Sequence, residues 1–266
     1  MRRRLDAELV RRGLVESRAR AVEVVAEGRV LVNGAPASSP SRNTAPDEAV
    51  TVQGPPRRYV SRGGEKLEAA LHAFAVDPAG ARVLDGGVST GGFTDCLLQH
   101  GARHVVAVDV GRGQLAWGLR TDPRVTVLER TNLRSVTAET IGGAVPLAVA
   151  DLSFISLLTV APALASCTTP DAELVLLVKP QFEAGRDAVG KGGIVRDPEV
   201  HHTVIARVAS GLAEEGLPVV AVVASPVTGA DGNREFLAHV RRAHPPADPE
   251  QLATAADPVG HGAGTR

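Results

Sequence analysis

The stretch RVLDGGVSTGGFTDCLLQHGARHVVAVDV, beginning at Arg82, constrains the fold more than any other part of the chain. An apolar strand enters a glycine-rich loop, a helix follows, and a second strand ends in an acid. That order is half of a nucleotide-type binding site. Asp85 closes the first strand, and Gly86, Gly87, Gly91 and Gly92 let the backbone turn tightly and approach a ligand without Cβ interference. Asp109, 24 residues after Asp85, lies where an acid at the tip of the next strand accepts ribose hydroxyls. The spacing D-x-G-x-x-x-G-G departs from the dinucleotide pattern G-x-G-x-x-G, and no G-x-x-x-x-G-K-[ST] loop occurs. The ligand is therefore read as a nucleoside without phosphates, with S-adenosylmethionine the obvious candidate. The plainer alternative is a glycine-rich turn in an ordinary α/β domain.

From Val83 onward strands and helices alternate, with strands expected near 83–85, 104–109, 125–128, 146–150, 173–179 and 218–224. This predicts a mostly parallel sheet covered on both faces. A smaller α-plus-hairpin unit precedes it. Residues 2–13 and 17–28 read as helices, Ser17 as an N-cap, Gly28 as a helix end, and Asn33-Gly34 as a tight turn between strands. Gly54-Pro55-Pro56 marks a boundary. The expected organisation is a small domain over 1–53, a linker over 54–62, a large domain over 63–243 and a disordered tail over 244–266. The loop 181–198, rich in glycine and basic residues, reads as exposed and mobile.

A formal net charge of −1 hides an asymmetry. Residues 1–62 carry 12 Lys plus Arg against 7 Asp plus Glu, and the remainder carries 17 against 23. A basic head on an acidic body points to a polyanionic partner, against the plainer reading of a solvated charged face. The two cysteines, Cys96 and Cys167, form no metal-ligand spacing, so neither a disulfide framework nor a metal site is expected. No apolar run of membrane-spanning length and no signal peptide is read, which predicts a cytoplasmic protein with no membrane partner.

The chain has 26 arginines but only three lysines, Lys66, Lys179 and Lys191. Where arginine serves nearly every cationic role, a lysine marks a place that needs a compact ammonium. Lys179 follows the apolar strand ELVLLV and Asp151 follows PLAVA, so both fall on the sheet edge where open α/β proteins bind ligands. The plainer reading of the two is a buried structural ion pair.

The strings YVSRGGEKL, LDGGVSTGGFTDCLL, AVDVGRGQLAW, LERTN, ADLSFISL, LVKPQFE and GNREFL, in that order, resemble the TlyA family of ribosomal RNA 2′-O-methyltransferases, relatives of the FtsJ-like methyltransferases. The segment RLDAELVRRGLVESRARAVEVVAEGRVLVNG resembles an S4-like RNA-binding module. The resemblance implies a Rossmann-like class I S-adenosylmethionine-dependent methyltransferase domain with a small N-terminal α+β S4-like domain. It implies a catalytic tetrad of Lys66, Asp151, Lys179 and Glu235. The cofactor is S-adenosylmethionine, expected against Asp85, Gly86, Gly87, Ser89, Thr90, Gly91, Gly92, Phe93, Asp109, Asn132 and Asp151. The implied substrate is cytidine ribose in 16S and/or 23S rRNA of the 30S and 50S subunits. Val88 departs from the family pattern and is expected to add bulk beside the cofactor loop.

Lys179 is expected beside the ribose 2′-oxygen, stabilising its developing charge or accepting its proton, with Asp151 orienting it and Lys66 and Glu235 completing the network. No metal is expected. Arg2, Arg3, Arg4, Arg11, Arg12, Arg18 and Arg20 are candidates for phosphate contacts. Three rival readings stand beside this one: a non-catalytic S4-like ribosome-assembly factor, a membrane-active hemolysin, and a small-molecule methyltransferase.

Overall fold

The computed structural model describes residues 2–15, 17–54, 57–185, 188–190, 192–229 and 232–256. Lys191 and the last ten residues of the tail lie outside the described residues. The chain divides into two compact units, Met1–Arg57 and Arg58–Arg266.

The first unit contains β1 (Arg3–Arg4), α1 (Leu5–Arg11), α2 (Arg18–Ala26), β2 (Val30–Val32), β3 (Ala35–Pro36), β4 (Asn43–Thr44) and β5 (Val50–Val52). Its first helix is shorter than its apolar spacing suggests, because Arg3–Arg4 pairs as a strand with Asn43–Thr44. The Ser17 hydroxyl accepts from the Arg20 amide and caps α2 as expected. Asn33 and Gly34 both take positive φ, the geometry that lets a two-residue turn join β2 to β3. Leu5, Leu9, Val24, Val25 and Val30 form the core of this unit.

The second unit runs α3 (Arg62–Phe74), β6 (Arg82–Gly86), α4 (Gly92–Gln99), β7 (His104–Val108), α5 (Trp117–Arg120), β8 (Val125–Leu128), β9 (Val145–Ala150), α6 (Leu157–Cys167), β10 (Thr168–Val178), α7 (Pro180–Glu183), α8 (Pro198–Glu214), β11 (Val219–Ala224), β12 (Phe236–Arg241) and α9 (Pro249–Ala256). Its seven-stranded sheet has the order β11-β12-β10-β9-β6-β7-β8, with an apolar core on each face. Strands β8, β7, β6, β9 and β10 pair in parallel, and β12 lies antiparallel between β10 and β11. The strand order reverses about β6, which has β7 on one side and β9 on the other, and such a switch point opens a crevice at the carboxyl edge.

Two expectations need correction here. The alternation argument missed β12, whose short run FLAHVR carries no crossover helix of its own and is held by partners on both sides. The tail beyond 244 is not wholly irregular, because Pro249–Ala256 is helical and buries Leu252, Ala253 and Ala256 on the main core. Three small apolar residues give too weak a period to read, and tertiary packing supplies the stability that propensity does not.

Candidate functional site

All but one of the polar residues expected at the chemistry come from one edge of the sheet, the exception being Lys66 of α3. Asp85 is the next-to-last residue of β6, Asp109 follows β7, Asp151 follows β9 and Lys179 follows β10. Because β12 runs the other way, Glu235 just before it reaches the same edge. The β10–β12 register ends at Val178 opposite Phe236, so Lys179 and Glu235 are the next facing positions.

A cavity of about 480 Å³ opens at this edge, lined by Gly87, Ser89, Asp109, Asn132, Asp151 and Phe154 among others. Asp109 Oδ2 accepts from the Ser89 amide at 2.7 Å and its Oδ1 from the Gly111 amide at 2.7 Å. Each oxygen keeps a further lone pair, so this fixed carboxylate can also accept ribose hydroxyls. Gly87 has φ +83°, and a Cβ there would lie 2.4 Å from the Asp151 carbonyl. Only glycine allows the loop to lie so close to the end of β9. The Asn132 side chain accepts from the Arg134 amide and fixes the turn on the far wall.

The four tetrad candidates form two ion pairs. Lys179 Nζ stands 2.5 Å from Asp151 Oδ1 and donates to Ser153 Oγ at 3.1 Å. Lys66, in the second turn of α3, reaches Glu235 Oε2 at 2.5 Å across 169 residues of sequence. Both lysines and Glu235 are buried, while Asp151 is partly open and lines the cavity.

Several residues expected at the cofactor do not line the cavity. Asp85 is fully buried and accepts from the Thr94 hydroxyl at 2.6 Å, with no described partner on its other oxygen. Desolvation, chiefly, raises its pKa from 3.8 to about 7. A Cβ on Gly92 would fall 2.2 Å from Ser61 Oγ and 2.9 Å from the Gly64 amide, so this glycine lets α4 pack on α3. Gly91 is crowded by Leu115 and Leu119, Gly86 by Leu133, and Phe93 lies in the core. The exposed Thr90 anchors the Ala116 amide through its carbonyl. Val88 turns into the same core as Phe93 and adds no bulk to the main cavity. The loop over 181–198 is not uniformly exposed either: Val195 is buried, and its amide is held by the Asn233 side chain.

In the first unit, most of the candidate arginines have carboxylate partners. Arg4 and Arg18 pair with the buried Asp6, Arg11 and Arg12 with the buried Glu8, and Arg20 with Glu23 and Glu27. Arg12 also donates to the Glu48 and Pro46 carbonyls, and Arg20 is itself buried, which makes these two cross-links of the fold. Arg2 and Arg3 are exposed, and Arg4, Arg11 and Arg18 keep half or more of their side chains in water.

Four residues at the edge escaped the sequence reading: Ser153, Phe154, Phe182 and Glu183. Phe154 has φ +64° and is 90% exposed, with its ring 5.0 Å from that of Phe182. A strained, solvent-facing aromatic beside a ligand cavity leaves no mark in periodicity; only its place three residues after Asp151 could have signalled it.

The chain matches the FtsJ-like methyltransferase family model over residues 59–242 and the S4 domain model over residues 3–50. It is 54% identical over 241 residues to the 16S/23S rRNA (cytidine-2′-O)-methyltransferase TlyA of Mycobacterium tuberculosis, covering 90% of each chain. It is 41% identical to Hemolysin A of Brachyspira hyodysenteriae, covering 89% of this chain and 98% of the other. A solved structure described as a candidate hemolysin from Streptococcus thermophilus superimposes with a TM-score of 0.76 at 39% identity, covering 95% and 94% of the two chains.

Proposed function

The chain belongs to the TlyA family of S4-bearing FtsJ-like methyltransferases, and from that premise we propose that it methylates the ribose 2′-hydroxyl of cytidine in 16S and/or 23S rRNA, within the 30S and 50S subunits. It is an S-adenosylmethionine-dependent enzyme. The cavity fits that cofactor in size, since small-molecule sites occupy roughly 300–1,000 Å³, and in chemistry, with a fixed carboxylate at Asp109 and a glycine wall at Gly87. Gly87, Ser89, Asp109, Asn132 and Asp151 would hold it. When bound, it supplies an electrophilic methyl group on a positively charged sulfur.

The observation that carries the reading is the Lys179 ammonium set beside Asp151 and Ser153, two residues that line that cavity. An ammonium has three donors; one goes to the Ser153 hydroxyl, Asp151 lies beside it as counter-charge, and a remaining donor serves the attacking 2′-oxygen. There it stabilises the negative charge that develops as the hydroxyl becomes a nucleophile. Asp151 pairs with the lysine as its counter-charge, and the Lys66–Glu235 pair ties α3 to the start of β12. Holding the groups in line supplies the remaining acceleration.

The exposed guanidinium groups of the first unit serve as phosphate contacts on folded rRNA. A ribosomal substrate fits a cytoplasmic protein, and among the described residues no helix is long and apolar enough to cross a membrane.

Labelled methyl transfer from S-adenosylmethionine to separated 30S and 50S subunits, with Lys179→Ala alongside, tests the reading. Label on ribose that is lost in the variant, with cofactor affinity kept within a few fold, is expected. Near-normal turnover by the variant would remove Lys179 from the mechanism. Deleting residues 1–53 should sharply weaken RNA binding and its salt dependence, and unchanged binding would remove the docking role.

A further inference from the structure

The tetrad accounts for four polar groups at the sheet edge, but not for Glu183. This carboxylate is 6% exposed, so solvation does not explain it. Its Oε1 accepts from the Leu157 amide at 2.8 Å and its Oε2 from the Ser156 hydroxyl at 2.7 Å. Both partners lie at the amino end of α6, where free backbone N–H groups and the helix dipole favour a negative charge. The Ser156 hydroxyl also accepts from the Leu158 amide at 3.2 Å, so carboxylate and hydroxyl cap the helix together.

The consequence lies in what the cap joins. One partner is the loop from Asp151 to Ser156, which carries the carboxylate and hydroxyl that hold Lys179. The other is the segment from Lys179 to Glu183, which carries the lysine itself. Three ties cross between them: Lys179 to Asp151 and Ser153, Phe182 to Phe154, and Glu183 to Ser156 and Leu157. The first two end on side chains that line the cavity; the third ends on the Ser156 hydroxyl and the Leu157 amide, which do not line it. Arg207 of α8 donates to the Glu183 carbonyl and fixes the backbone from which the carboxylate reaches.

We propose that Glu183 is a positioning residue for methyl transfer, locking the Asp151–Ser156 loop to the Lys179 segment so that the ammonium is held in its reactive place. This rests on the reading of Lys179 given above. The carboxylate acts through geometry, not through its charge or a proton. Glutamine is therefore expected to serve nearly as well, because its oxygen accepts from the Leu157 amide while its NH₂ donates to the rotatable Ser156 hydroxyl.

The test compares full-length wild type, Glu183→Ala, Glu183→Gln, Ser156→Ala and Lys179→Ala. For each, kcat and KM for labelled methyl transfer to ribosomal subunits are measured alongside cofactor affinity and melting temperature. Glu183→Ala should lower kcat by about tenfold or more, since ångström-scale misplacement of a reacting group costs up to about 100-fold. Its KM for the subunits should stay within about twofold, and Glu183→Gln should recover most of the rate. A Glu183→Ala variant that melts lower but keeps its kcat would overturn the proposal, leaving a stabilising cap. Loss of turnover in Glu183→Gln as well would also overturn it, because the charge would then be what matters. Should Glu183→Ala fail to fold, Ser156→Ala decides: reduced kcat at unchanged melting temperature supports the lock, and unchanged kcat rejects it. Lys179→Ala separates the two ideas. If it retains turnover, the reading of the lysine has failed; if it is inactive while Glu183→Ala is fully active, only the lock has.

Discussion

The two units handle buried charge in opposite ways. In the first, Asp6 and Glu8 are buried, but their arginine partners Arg4, Arg11 and Arg18 remain half or more in water. In the second, Lys66 and Glu235 are both buried, as is Lys179, with only Asp151 partly open. A planar guanidinium can hold a buried carboxylate through one edge while presenting the rest of its fork outward. A buried ammonium–carboxylate pair has no such second face, and its charge is committed to what lies beside it. The first arrangement suits a surface that meets phosphates; the second suits one that meets a single reacting oxygen.

The largest expected effect that would break this contrast comes from removing one member of the doubly buried pair. Lys66→Ala leaves Glu235 buried without its partner and should cost about 3–5 kcal/mol of stability, read by denaturant unfolding. Arg11→Ala should cost less, because Arg12 still holds Glu8 and half of the lost side chain was in water. Equal losses would show that the two kinds of pair are energetically alike.

Acid titration sharpens the same comparison. Arg4, foremost, holds Asp6 well below the usual carboxylate range, and Arg11, foremost, lowers Glu8 from 4.5 to about 2. A depressed pKa gives stability that is present above the unfolded value and is lost as pH falls through the folded one. The first unit should therefore lose protection of its core amides from hydrogen exchange as pH drops below about 4. Asp85 has the opposite sign. Burial raises its pKa from 3.8 to about 7, so its contribution is most favourable below the unfolded value and declines as pH rises towards 7. That slope should amount to at most about 4 kcal/mol for the second unit and vanish in Asp85→Asn. Trp117, the single tryptophan, lies in the second unit and gives a probe specific to it.

Gly92→Ala should destabilise the second unit by about 1–3 kcal/mol through the clash with Ser61 and Gly64. Cofactor affinity per folded molecule should change little, because Gly92 does not line the cavity. A selective loss of cofactor binding, measured by calorimetry at full folding, would restore the ligand-approach reading of this glycine. The smallest effect is expected from Arg2→Ala with Arg3→Ala. It should lower the salt slope of RNA binding by about 1 to 2 and leave folding alone, since both side chains are exposed. Arg20→Ala should do the reverse, because Arg20 is buried between Glu23 and Glu27.

The order of elements from β6 to β11 was legible in the sequence because alternating apolar runs, glycines and strand-end acids are local signals. So were the identities of Lys66, Asp151, Lys179 and Glu235, through the motif strings that carry them. The sequence by itself determined which chemistry-bearing residues exist and that three of its acids and one lysine end strands. Tertiary structure alone decided who meets whom. The antiparallel insertion of β12 turned Glu235 to the same edge as Lys179, and α3 carried Lys66 to Glu235 across 169 residues. Packing also decided that Gly92 serves the contact of α3 with α4, that Asp85 has no solvent, and that most head arginines have intramolecular partners. The reason is physical: backbone preference and periodicity are set within a few residues, whereas pairing and desolvation depend on groups that only the folded chain brings together.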